Sequence, residues 1–167
     1  MNEPTAGPDP DEFRRAMGRF ATGVTIMTTR HDNLDYAMTV NSLTSVSLDP
    51  MLVLACVEVD SRFHDAVIAS GVWGMSILAA SERATSNWFA TRGRPMHGQF
   101  GQFPHTRAEP TGVLLMDRSI TGLQCRTQAV HPGGDHSILV GAVVDVVLPS
   151  RPGAALLYYR GGYGRIE

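Results

Sequence analysis

Between residues 39 and 47 the chain sets out Thr39, Asn41, Ser42, Thr44, Ser45 and Ser47. Such a run offers hydroxyls, an amide and backbone N–H groups that can hold a phosphate or the polar edge of a flat heterocycle without net charge. The plainer reading is a polar loop or edge strand. Farther on, Ser61-Arg62 stands where a helix begins. Free N–H groups and the positive end of the dipole attract anions there, and a guanidinium adds a fork that matches phosphate; a capped helix with Arg in its first turn is equally a structural device. Gly133-Gly134-Asp135-His136 turns the backbone and leaves a histidine at the mouth of a strand. It serves there either as a proton-handling group or as a hydrogen-bonded loop histidine. Tyr158-Tyr159-Arg160-Gly161-Gly162-Tyr163-Gly164 supplies rings that can stack on a ligand and glycines that let backbone approach one.

Other chemistries lack their residues. All 14 basic residues are Arg, which removes Schiff-base catalysis, lysine-held pyridoxal phosphate and the P-loop. The histidines show no metal-ligand spacing with a second histidine or carboxylate on one helix face, so no metal is expected. Hydrolysis lacks a Gly-x-Ser-x-Gly elbow. A dinucleotide fingerprint needs a helix after its glycines, and three residues follow Gly164. Cys56 and Cys125 form neither a zinc knuckle nor a redox motif and are expected as buried free thiols in a reducing compartment. Acidic and basic residues, 16 against 14, are scattered, so no basic stripe awaits nucleic acid. Glu3 and Asp9 stand where a signal peptide needs positive charge, and no apolar run approaches the ~18 residues of a membrane span. A cytoplasmic protein without membrane contact is expected.

The 167 residues, 43% hydrophobic and 18% charged, make one globular domain over residues 9–167 behind a mobile tail, residues 1–8. Asp9 as N-cap, Pro10 at N1 and Glu12 in the first turn start a helix. Phe13, Ala16, Met17 and Phe20 form one apolar stripe that should pack on β structure, and Gly23 lies where a helix stops. Segments 24–30, 36–40, 51–57 and 72–78 read as strands, the third apolar throughout as if covered on both faces. His31-Asp32-Asn33 and Asp49-Pro50 supply turns. Ser61 caps a helix through residue 70, with Phe63, Ala66 and Val67 inward and Gly71 as its stop. Ser81 opens another short helix to residue 90. Residues 91–112 lack a period and read as a long surface loop, and 119–130, 136–148 and 156–160 complete six or seven strands, with turns over 131–134 and 149–153. Strands dominate without βαβ alternation, which argues for an α+β, mainly β barrel with short helices.

Taken in order, residues 13–24 and 39–50, Ser61-Arg62, Gly134-Asp135-His136 and residues 158–163 resemble the short-chain flavin reductase family, the reductase components of two-component monooxygenases, over nearly the whole chain. The resemblance implies a split β-barrel, FMN or FAD at a homodimer interface, hydride supplied by NADH or NADPH, and a separate monooxygenase that takes the reduced flavin. It places Thr39, Val40, Asn41 and Ser42 with Ser45, Val46 and Ser47 along the flavin, and Ser61, Arg62 and Phe63 at its phosphate. His136 faces the nicotinamide donor and Tyr163 the open side. Phe63 stands where the family often has a small hydroxyl residue, and 91–112 departs from the commoner pattern. A flavin-binding module without turnover, or a flavoenzyme acting directly on a small organic substrate, is the alternative.

Overall fold

A computed structural model of the chain describes residues 7–149 and 153–166. Most of the expected tail and of the 149–153 turn lies outside these residues. In chain order the elements are α1 (Pro10–Met17), β1 (Thr22–Gly23), β2 (Thr25–His31), β3 (Leu34–Val40), β4 (Thr44–Leu48), β5 (Met51–Glu58), α2 (Arg62–Ser70), β6 (Val72–Leu78), a 3-10 turn (Ala80–Glu82), α3 (Arg83–Ala90), β7 (His105–Arg107), β8 (Leu114–Met116), β9 (Ser119–Gly133), β10 (His136–Val147), β11 (Ala155–Tyr159) and β12 (Gly162–Ile166).

Seven strands make one antiparallel sheet in the order β3-β2-β6-β9-β10-β5-β4, beside a three-stranded sheet β1-β11-β12 and the pair β7-β8. Two-residue hairpins set much of the register. Asp32 and Asn33, both at positive φ, turn β2 into β3, and Gly134 at φ 73 followed by Asp135 turns β9 into β10. Val40 of β3 and Val53 of β5 share one buried cluster with Met27, Phe63, Val67, Trp73 and Leu139. Strands from opposite sides of the sheet therefore meet over the core beneath α2: the sheet curls on itself as a mainly β barrel. A second cluster, Val24, Ile26, Ala37, Leu78, Phe89, Phe100 and Leu156 among others, lies where α3 and the three-stranded sheet cover the barrel. At Gly141 an added Cβ would stand 2.3 Å from the indole of the fully buried Trp73, so that ring lies directly on the β10 backbone.

Several expectations need correction. Twelve strands are present among the described residues, because β1, β4, β7, β8 and β12 carry hydroxyls, glycines or only two or three residues and show no clear alternation. α1 ends at Gly18, and Gly23 belongs to β1. The apolar stripe of α1 is real but uncovered: Phe13, Met17 and Phe20 are 58%, 51% and 68% exposed, and the helix has no buried residue. β5 is covered on one face only, with Val53, Ala55 and Val57 buried and the intervening residues half-buried or exposed. Cys56 shares that half-buried face, whereas Cys125 is buried. The 91–112 segment is not a plain surface loop. Gln99 and Phe100 are buried, the Gln99 amide donates to the Asp35 carbonyl at 2.8 Å, and Trp88 Nε1 donates to the Gln99 carbonyl at 2.9 Å. By contrast α2 begins, faces and stops where expected, Gly71 closing it at φ 67.

Candidate functional site

The ends of β3 and β5, the start of α2 and the end of α3 converge on a cleft of about 370 Å³ lined by Tyr36, Ala37, Met38, Thr39, Glu58, Asp60, Ser61, Arg62 and Phe63, with residues 89–94 and Met96 opposite. That is the size of a small-ligand site. At its α2 end Ser61 works as an N-cap: its Oγ accepts from His64 N–H at 3.2 Å and donates to the Glu58 carbonyl at 2.8 Å. The hydroxyl proton is thus directed into the chain. What this end offers an anion is the backbone N–H groups of Arg62 and Phe63, which the Ser61 cap does not reach, together with the Arg62 side chain. The Arg62 guanidinium commits Nη2 to the Arg94 carbonyl at 2.9 Å and keeps its other donors.

Arg94 lines the opposite side. It donates to the carbonyls of Phe89 at 3.0 Å and Thr91 at 3.1 Å, to Gln99 Oε1 at 3.1 Å, and to the Ala37 carbonyl. Its guanidinium also stands 5.3 Å from the Phe89 ring centroid. Burial, and then the neighbouring Arg62 charge, lower its pKa from the ordinary arginine value. Arg94 closes the C-terminal carbonyls of α3, where a cation also meets the negative end of the dipole.

A second hollow of about 200 Å³ adjoins the cleft and shares Thr39 and Ala90 with it; Val24, Val40, Asn41, Ser86, Tyr158 and Tyr163 complete its lining. Thr39 Oγ1 donates to the Ser86 carbonyl at 2.7 Å, and the Ser86 Oγ lies 2.9 Å from the Tyr163 hydroxyl. The β11–β12 hairpin is thereby tied to the end of β3.

The expected site residues divide accordingly. Thr39, Ser61, Arg62 and Phe63 line the cleft, Phe63 with its ring in the core, and Val40, Asn41 and Tyr163 line the adjoining hollow. Ser42 lines neither: its Oγ accepts from Cys56 N–H at 2.9 Å and fixes the crossing from β3 to β5. Ser45, Val46 and Ser47 lie on the edge strand β4, Ser45 and Val46 exposed, outside both linings. His136 opens β10 in register with Glu58, one strand from the cleft wall, with Nδ1 2.7 Å from Asp135 Oδ1. That hydrogen bond, and then the imidazole charge, hold the Asp135 carboxyl below the usual range.

Residues 17–167 match the model of the flavin reductase-like domain. The chain belongs to the flavin reductase-like family. An NADH-dependent FMN reductase of Streptomyces nodosus subsp. asukaensis is 34% identical over 98% of this chain and 92% of its own. The reductase subunit of a flavin-dependent monooxygenase from Rhodococcus jostii is 35% identical over 95% of this chain and 79% of its own. Among solved structures, an NADH:FAD oxidoreductase of Streptomyces globisporus, in complex with NAD and FAD fragments, superposes with a TM-score of 0.89 at 31% identity, covering 95% of this chain and 93% of that one. The split barrel and short helices expected of such a reductase are thus present.

Sequence reasoning about this flavin reductase-like chain missed Arg92, Arg94 and Ser86. Arg94 and Ser86 reach the site through carbonyl and hydroxyl partners distant in sequence, so no local motif announces them. Arg92 and Arg94 did carry one legible signal, two guanidiniums flanking a glycine just beyond a helix end.

Proposed function

We propose that this chain is an NAD(P)H:flavin oxidoreductase, with FMN favoured over FAD, that passes reduced flavin to a separate monooxygenase. The observation that carries the reading is the cleft at the α2 N-terminus, lined by Arg62 and Thr39 and reached by the uncapped Arg62 and Phe63 N–H groups, in a chain alike end to end to an NADH-dependent FMN reductase. Without lysine, a phosphate is left to guanidinium, hydroxyl and backbone N–H groups, and all three border this cleft.

Bound flavin supplies the redox chemistry, its ring accepting hydride as the nicotinamide is oxidised. The protein's share is to bind, orient and exclude water. Arg62 and the first turn of α2 hold the phosphate, Met38 and Thr39 support the flat ring, and Tyr163 closes the adjoining side. His136, steadied by Asp135, orients the donor from the neighbouring strand.

The working unit of this reading is a homodimer. β4, the start of β5 and the end of β10 with the following Leu148 expose Val46, Leu48, Met51, Val144, Val146, Val147 and Leu148, apolar side chains of the kind that mark an interface. A second copy covers them and meets β4, where Ser45 is exposed and Ser47 half-buried. The compartment is cytoplasmic; among the described residues no helix is long and apolar enough to cross a membrane.

The test is steady-state oxidation of NADH and NADPH by purified protein with and without FMN, FAD or riboflavin. Flavin-dependent consumption is expected, fastest with FMN. Nicotinamide oxidation that ignores added flavin, with no flavin bound to the protein, refutes the reading.

A further inference from the structure

Three guanidiniums line the cleft, and they are held differently. Arg94 is committed to carbonyls and an amide, and Arg62 gives one N–H to a carbonyl. Only Arg92 is held by an acid: its Nη2 lies 2.6 and 2.7 Å from the two carboxylate oxygens of Glu58. The partners are unequal in mobility. Glu58 sits at the end of β5, 32% exposed, its carbonyl fixed by the Ser61 N–H and hydroxyl, while Arg92 is 83% exposed beyond the end of α3. An exposed ion pair of this kind is weakly held, so a better acceptor at the same cleft can take Arg92 away.

We propose that Glu58 is a built-in competitor for the phosphate of the bound flavin, occupying Arg92 in the free cleft and surrendering it on binding, so that the Glu58–Arg92 pair sets how readily flavin is exchanged. This rests on the flavin reading above. A phosphate that recruits Arg92 gains a guanidinium fork and leaves the Glu58 carboxylate without its partner. Binding and its penalty are thereby coupled, which keeps affinity moderate, as a flavin that must leave reduced requires. Affinity is a difference between the bound and free partners of one group, and here the free partner is part of the chain.

The test is fluorescence titration of the full chain, as wild type, Glu58→Gln, Arg92→Gln and the double variant, with FMN and with riboflavin, which lacks the phosphate. Glu58→Gln should tighten FMN about fivefold, and Arg92→Gln should weaken it about tenfold, in keeping with a hydrogen bond to a charged group. The double variant should match Arg92→Gln, because Glu58 acts through Arg92. Riboflavin should be unmoved throughout. If Glu58→Gln leaves FMN affinity unchanged, or shifts riboflavin equally, the competitor role is wrong while the flavin reading stands. If wild type binds neither flavin, both fall. Arg92 is exposed, so its variant should fold, and unchanged FMN affinity there overturns the proposal even if Glu58→Gln does not fold.

Discussion

The Tyr163 hydroxyl stands 2.9 Å from the Ser86 Oγ, and Ser86 is completely buried, so a residue of β12 satisfies a polar group of α3 beneath the wall that Thr39 lends to both hollows. Tyr163→Phe strands that serine and should cost about 1–3 kcal/mol of stability. Adding Ser86→Ala removes the orphaned group, so the double variant should recover part of the loss. Urea midpoints check this, and strictly additive losses would show that the pair is not coupled.

Gly141→Ala should be more damaging than its size suggests. The new methyl meets the Trp73 ring at 2.3 Å, and Trp73 is fully buried, with its indole N–H donating to Thr127 Oγ1 at 3.2 Å. Overpacking of this kind costs about 1–3 kcal/mol, readable as a lowered thermal midpoint.

The two cysteines should behave differently. Burial pushes the Cys125 thiol from 9.0 up to about 12, while Cys56 lies half-buried on β5. A disulfide reagent should therefore titrate one thiol in the native protein and the second only on unfolding. The sign of the pH effect follows. Cys125 is protonated in the fold where the unfolded chain has already released its proton, so its contribution is intact below about pH 9 and fades as pH rises toward about 12. Cys125→Ala should flatten that alkaline limb, whatever it does to stability at neutral pH.

Replacing Arg94 by Lys should not rescue it. An ammonium cannot present the fork that reaches Phe89, Thr91, Ala37 and Gln99 together. Arg94→Lys should lower stability by about 1–3 kcal/mol and speed proteolysis within 91–104, with flavin KM rising as the cleft wall loosens.

His136→Ala should raise the apparent KM for NADH far more than that for flavin, because the imidazole lies one strand from the cleft wall, opposite Glu58. Equal effects on both would remove its role. The same substitution frees Asp135, whose carboxyl is held low by its hydrogen bond to His136. Its stabilisation is present above the ordinary carboxylate range and fades as pH falls through the lowered value, so the variant should lose some of that acid-side dependence.

What could be read from the sequence was what local chemistry dictates. α2 was legible to the residue because Ser61 and Gly71 are strong signals at either end. The strand character of β5 was legible as well; its exposed face was not, since apolar residues on both sides say that burial is wanted and not where the cover comes from. The stripe on α1 misled in the same way. β12 escaped because glycines hide alternation, and the β4 hydroxyls read equally as loop or edge. Within the site, Thr39 and Arg62 were accessible through type and position, whereas the support that Arg94 gives comes through backbone oxygens that no side-chain pattern encodes.

Thr39 and Ala90 act as a party wall between two chambers. Trimming either residue to admit a bulkier ligand would breach the partition and fuse the compartments, so the two cannot be resized independently. Anyone redesigning the enzyme's range would have to remodel both rooms at once, starting from a single threonine.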